Sequence, residues 1–265
     1  MCLFLSGRPN STGRICLSIP TVSLLTQSLS VLSSESTTRD RRVGLPPRKT
    51  PTEHDPTTNI TPGLFITFEG SDSVGKTAHA DAAQKLLDEL GMETLRTREP
   101  AGTEIGDQIR EHVLRSGGYI DPQAEALLFA ADRAQNINTC VAPALARGVT
   151  VLQERYIDSS VAWTEASQIL NPREVRDLGM WAASGLLPDL TILLDVPAEI
   201  VVRLVGIPDS EGEAAEQLEF HQQLRLSFLK IARRDPQRFL IVDAEQPFDK
   251  VAATVAQEIV RRISA

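Results

Sequence analysis

The chain has 265 residues, 42% of them apolar, and a formal charge of −8, which leaves room for one large or two small soluble domains. Residues 1–60 carry seven Lys/Arg against four Asp/Glu, so the rest holds 20 against 31. That balance argues against binding nucleic acid polymers by counterion release; an anionic substrate would need a local cluster of Arg, Lys and backbone N–H groups. With no run of 18 apolar residues a membrane-spanning helix is not expected, and Cys2, Cys16 and Cys140 lack metal-ligand spacing, which fits a reducing, cytoplasmic setting.

Residues 1–60 are rich in Ser, Thr, Pro and Arg without sustained periodicity, and are expected to be a disordered extension. The acid-free first 34 residues loosely have the composition of a transit peptide, but no amphipathic Arg-rich face is evident. A single domain is expected over 61–265. Leu64–Phe68 reads as a buried strand, and Thr77–Leu90 as a helix with Leu86, Leu87 and Leu90 inward. Glu93–Thr97 is a short strand, and Thr103 caps a helix whose Ile105, Ile109 and Val113 recur at four-residue spacing. Asp121-Pro122 opens a long helix, Val149–Leu152 is a third strand, and Asn171-Pro172 caps a helix running to about Gly185. Leu190–Leu194, a helix from about Gln217 to Arg234, Phe239–Val242 and a helix to Arg262 complete the chain. Strands alternating with helices predict an α/β fold, one parallel sheet covered on both faces.

Gly70-Ser71-Asp72-Ser73-Val74-Gly75-Lys76-Thr77 fits the Gly-x4-Gly-Lys-Ser/Thr pattern, after a buried strand and before a helix, where it can work. The glycines let successive N–H groups turn toward phosphate oxygens, and the helix N-terminus adds partial positive charge. Lys76 would reach the β- and γ-phosphates, and Thr77 would set its hydroxyl on Mg²⁺. A nucleoside triphosphate and Mg²⁺ are therefore the expected ligands of this loop.

Four further segments follow in order: Thr97-Arg98-Glu99-Pro100-Ala101-Gly102-Thr103, Phe129-Ala130-Ala131-Asp132-Arg133-Ala134-Gln135, Glu154-Arg155-Tyr156-Ile157-Asp158-Ser159-Ser160 and Gly185-Leu186-Leu187-Pro188-Asp189-Leu190. Together with the loop they closely resemble bacterial thymidylate kinases, over about Gly63–Arg261. The resemblance implies the three-layer P-loop NTPase fold with about five parallel strands and a short lid, in-line phosphorylation of dTMP by ATP, and a homodimer packed through helices. It also implies residue roles. Asp72 contacts the sugar or organises the acceptor, Phe129 stacks on thymine, and Arg133 bonds the base. Arg155 and Arg110 hold the monophosphate with planar, permanently charged forks. Arg98 and Pro100 lie in the acceptor loop, Arg98 being equally a candidate ion-pair partner of Glu99. Ser160 and Trp163 line the base and sugar pocket, Trp163 standing where the family usually has Tyr. Lys76, Asp72 and Arg155 are the expected catalytic residues, and Thr77 and Glu154 the metal ligands.

Three departures from that pattern stand out. Glu154 replaces the usual Asp, Ala78 replaces a common hydroxyl residue, and the lid region Leu204–Leu224 has no Lys or Arg while carrying Asp209, Glu211, Glu213, Glu216 and Glu219. Carboxylates beside a migrating phosphoryl group oppose its developing charge. Slow turnover is therefore one expectation, with Arg203 as the nearby cation. A deoxynucleoside kinase and a weakly catalytic nucleotide-binding module are the alternative readings.

Overall fold

The computed structural model describes residues 63–115, 118–206 and 210–264. The expected extension at 1–60 lies outside these residues, as do 207–209 of the lid. The described residues form five strands: β1 Phe65–Glu69, β2 Thr94–Arg98, β3 Thr150–Glu154, β4 Leu190–Asp195 and β5 Phe239–Asp243. All pair in parallel in the order β2-β3-β1-β4-β5. This is the expected α/β architecture, with helices on both faces of the sheet.

Side chains alternate across a strand, so each layer can be read off β1. Ile66 and Phe68 face helices α1 (Lys76–Glu89) and α9 (Phe248–Ile263), through Leu87, Val251, Val255 and Ile259. Phe65 faces the other layer, where Ile137 and Val141 close over it and Tyr156 meets it edge-on, ring centres 5.2 Å apart. Thr67 points the same way, and its hydroxyl bonds that of Thr191 on β4 at 2.9 Å, so neither buried oxygen is left unpaired. Asp189 accepts from the Phe65 N–H at 2.7 Å, the local task of the Pro188-Asp189 motif.

The remaining helices are α2 Glu104–Arg115, α3 Pro122–Asn136, α4 Ala142–Ala146, α5 Ile157–Ser167, α6 Pro172–Ala182, α7 Ala198–Val205 and α8 Glu211–Arg234. Asp121 and Asn171 cap α3 and α6 as expected, each ahead of a proline: Asp121 accepts from the Gln123 and Ala124 N–H groups and Asn171 from that of Arg173. α3 runs on through a π-helical stretch, Ile137–Val141, into α4. α8 begins two turns before the expected Gln217 because the Ser210 hydroxyl accepts from the Glu213 N–H and caps it, so most of the lid region is helix.

One inward assignment fails. Leu90 is 51% exposed because α1 stops at Glu89, and Met92 packs on that core in its place. Within the four-residue repeat of α2, Ile109 and Val113 are buried while Ile105 is 49% exposed, since residues four apart drift about 40° around a helix. α5 and α7 have no counterpart in the sequence reading.

Candidate active site

A parallel sheet opens at the carboxyl ends of its strands where the chain order reverses. Here β1 lies between β3 and β4, and the tips of β1 and β3 carry Glu69-Gly70 and Glu154-Arg155. Gly70 has φ 130°, and a Cβ there would stand 2.6 Å from the Leu194 carbonyl oxygen, so only glycine lets the loop leave β1 so close to β4. Gly75, at φ 88°, turns the chain into α1. Lys76 is buried, its ammonium bonded to the carbonyls of Gly70 (3.2 Å) and Ser71. Burial, then repulsion from Arg155, pulls its pKa down to about 7 against the attraction of Asp72, Glu69 and Glu154.

Arg155 is the hinge of the site. Its backbone is left-handed, φ 64°, and its guanidinium meets Asp72 at 2.5 Å, the Gly70 carbonyl at 3.2 Å and the Ser159 hydroxyl at 3.1 Å. Burial alone would raise the Asp72 carboxyl, but Arg155 and Lys76 outweigh it and hold it below the usual carboxylate range. The unusual backbone is held from behind by Glu69, which accepts from the Tyr156 N–H at 2.8 Å and the Ser159 hydroxyl at 2.5 Å. Full burial, then the neighbouring Asp158 carboxylate, pushes Glu69 up to about 7. Asp158 in turn takes both Nη groups of Arg238, at 2.6 and 3.1 Å. An acid wedged between an apolar strand and a phosphate loop was the signal that could have marked Glu69 in the sequence.

Two clefts meet at Arg155. One, of 430 Å³, is lined by Asp72, Lys76, Thr77, Arg98, Arg110 and Glu154. In it the Thr77 hydroxyl donates to Glu154 Oε2 at 2.8 Å, and Arg110 donates to the Pro100 carbonyl at 3.1 Å. The other, mostly apolar, is lined by Pro100, Phe129, Arg133, Ser160 and Trp163. Glu99 and Arg155 border both. The chain thus brings every expected acceptor residue to one or other cleft. Trp163 is also a core residue, 7% exposed and tilted against Phe220 at 5.2 Å.

A model of the family "Thymidylate kinase" matches residues 68–255. The thymidylate kinase of Leifsonia xyli subsp. xyli (strain CTCB07) is 50% identical over 196 residues, 73% of this chain and 93% of that protein. That of Clavibacter sepedonicus is 49% identical over 195 residues (73% and 92%), and that of Bifidobacterium longum (strain NCC 2705) 43% over 202 (74% and 97%). The chain belongs to the thymidylate kinase family.

Within this thymidylate kinase fold the ion pairing differs from the sequence reading. Glu99 pairs with Arg133, not with Arg98: the Arg133 Nε and Nη2 reach one carboxylate oxygen at 2.9 and 2.7 Å, and Nη2 also reaches Ser160 Oγ at 3.1 Å. Arg98 is exposed in the phosphate-side cleft, since neighbours along extended chain point to opposite sides. Arg133 is only 3% exposed, so its fork is preset by Glu99. Burial raises the Glu99 carboxyl, opposed by Arg133 and by Gln153, which donates at 3.0 Å. Asp132, beside Arg133, is wholly buried; one oxygen accepts from the Ala101 N–H at 3.3 Å and the other has no hydrogen-bond partner among the described residues. Burial, then Glu99, pushes its carboxyl up to about 8.

Near the lid, Arg203 is not the sole cation. Its Nε donates to the Glu199 carbonyl of its own helix, whereas Arg225, one residue past the stretch without Lys or Arg, grips Asp195 at the tip of β4 with two bonds of 2.7 and 2.8 Å. Sequence reasoning stopped one position short of it.

Proposed function

We propose that this chain transfers the γ-phosphoryl group of ATP to dTMP, giving dTDP, by direct in-line displacement. The observation that carries this reading is Arg155, whose single guanidinium borders the polyphosphate cleft and the apolar acceptor pocket alike. A group so placed can hold the dTMP phosphate facing the end of the ATP chain, and positioning with charge neutralisation is most of what such a reaction requires. The N–H groups of Gly70–Thr77 and the Lys76 ammonium grip the polyphosphate, and anionic oxygens entering beside Lys76 favour its charged form. Phe129 offers a stacking face to the base, and the Arg133 fork, oriented by Glu99 and Ser160, reads its polar edge.

The residues present fit Mg²⁺. Thr77 Oγ1 and a Glu154 carboxylate oxygen, both hard oxygen ligands, lie 2.8 Å apart in the phosphate cleft. Among the described residues no group of three His, Cys, Asp or Glu could hold a metal unaided, as suits an ion bound largely through nucleotide phosphates and water. Held there by Thr77 and Glu154, Mg²⁺ would offset the negative charge of the ATP phosphates.

The enzyme acts on small nucleotides as a cytoplasmic homodimer in this reading. No described helix is long and apolar enough to cross a membrane, and the described Cys140 is a free thiol. Trp181 on α6 and Leu127 on α3, 72% and 53% exposed on helices that pack together, are the apolar surface a second copy would cover. The deciding assay follows dTDP formation from ATP, Mg²⁺ and dTMP, with dUMP, dCMP, dGMP and thymidine as rival acceptors. Turnover should be confined to dTMP among these; phosphorylation of thymidine instead would refute the assignment.

A further inference from the structure

Glu154 is longer by one methylene than the Asp this family usually places there, and has one more rotatable bond. Left alone, such a carboxylate would wander. Its two oxygens are instead held by different elements: Oε2 takes the Thr77 hydroxyl of α1 at 2.8 Å, and Oε1 takes Arg96 Nη2 of β2 at 3.1 Å. Register explains the reach. Arg96 lies opposite Leu152 in the β2–β3 ladder, two residues before Glu154, so its long side chain runs along the strand to the tip of β3. The same Nη2 meets Asp81 Oδ1 at 3.0 Å, and Asp81 stands one helical turn beyond Thr77 on α1. Arg96 therefore ties together both elements that supply the Thr77–Glu154 pair. The Arg96 and Glu154 side chains are 21% and 11% exposed, so this contact is largely shielded from solvent, unlike the Asp81 contact, whose carboxylate is 64% exposed.

We infer that Arg96 is a positioning residue for metal-assisted phosphoryl transfer: by holding one oxygen of Glu154 it keeps the other against Thr77, where the metal of the ATP complex binds. This rests on the assignment of Thr77 and Glu154 as metal ligands. Arg96 touches neither substrate nor the reacting atoms; it acts through the carboxylate it orients. Partners that orient a ligating group commonly change metal affinity by about 10- to 100-fold when removed.

The test compares Arg96→Leu, Arg96→Lys and Glu154→Ala in the full-length protein. Mn²⁺ binding to the enzyme–ATP complex is read by electron paramagnetic resonance, the Mg²⁺ concentration for half-maximal rate by assay, and metal-free ATP binding by calorimetry in chelator. Arg96→Leu should weaken Mn²⁺ binding and raise the Mg²⁺ requirement by about 10-fold, with metal-free ATP binding and the melting temperature near wild type, and Arg96→Lys should recover part of the loss. A folded Arg96→Leu protein with wild-type metal dependence, beside a Glu154→Ala protein whose dependence has shifted, overturns the role of Arg96 alone. Unshifted metal dependence in Glu154→Ala overturns the ligand assignment beneath it. Should Arg96→Leu fail to fold, Arg96→Gln decides on the same readouts.

Discussion

Asp132 illustrates how one buried carboxyl joins site to stability. It holds the loop after Pro100 through the Ala101 N–H, stands next to Arg133, the proposed base reader, and burial followed by Glu99 pushes it up to about 8 from an ordinary value of 3.8. The folded protein therefore favours its protonated form. Its stabilising contribution is complete below about pH 4 and drains away as pH rises through about 8, at no more than about 1.4 kcal/mol per pH unit. Urea midpoints measured at pH 6 and pH 8.5 should fall more steeply for wild type than for Asp132→Asn. Equal slopes would mean that Asp132 is already ionised at pH 6. Partner choice at this scale was the part hidden in the sequence. The phosphate loop was readable because its glycines and lysine act within eight consecutive residues. The Glu99–Arg133 and Thr77–Glu154 contacts join residues 34 and 77 positions apart, and only tertiary approach selects them.

Helices and strands show the same division. β1 and the caps of α3 and α6 follow local chemistry, apolar runs and Asp-Pro or Asn-Pro, and they emerged where expected. α5 did not, because burial on nearly every side, from Ile157 and Asp158 to Trp163 and Ala166, erases the polar stripe that makes a helix visible in sequence. The packing of α2 on α3 carries a prediction of its own. A Cβ at Gly106 would come within 2.2 Å of Asp132 Oδ1, 3.0 Å of Thr103 Oγ1 and 3.1 Å of the Ala101 carbonyl carbon. In an open helix Gly→Ala stabilises by about 1 kcal/mol, but here the fully buried Asp132 carboxyl group has nowhere to retreat without releasing Ala101. Gly106→Ala should accordingly lose about 1–3 kcal/mol by denaturant titration and raise the KM for dTMP more than that for ATP. A stabilised variant would show that the two helices separate freely.

For the molecule as a whole, the apolar surface on α3 and α6 bears on assembly. Trp181→Glu should shift sedimentation from dimer to monomer while leaving the far-ultraviolet circular dichroism unchanged; a wild-type protein that sediments as a monomer at micromolar concentration removes the dimer reading. The grip on nucleotide has a different anchorage. Its loop springs from β1, the one strand bonded on one side to β3 and on the other to β4, with all five of its residues buried. An edge strand can peel; a stem clamped between two neighbours cannot give way without dismantling the sheet. Heat or denaturant should therefore abolish the hold on ATP and the fold itself in a single event, with no surviving intermediate that is folded yet unable to bind.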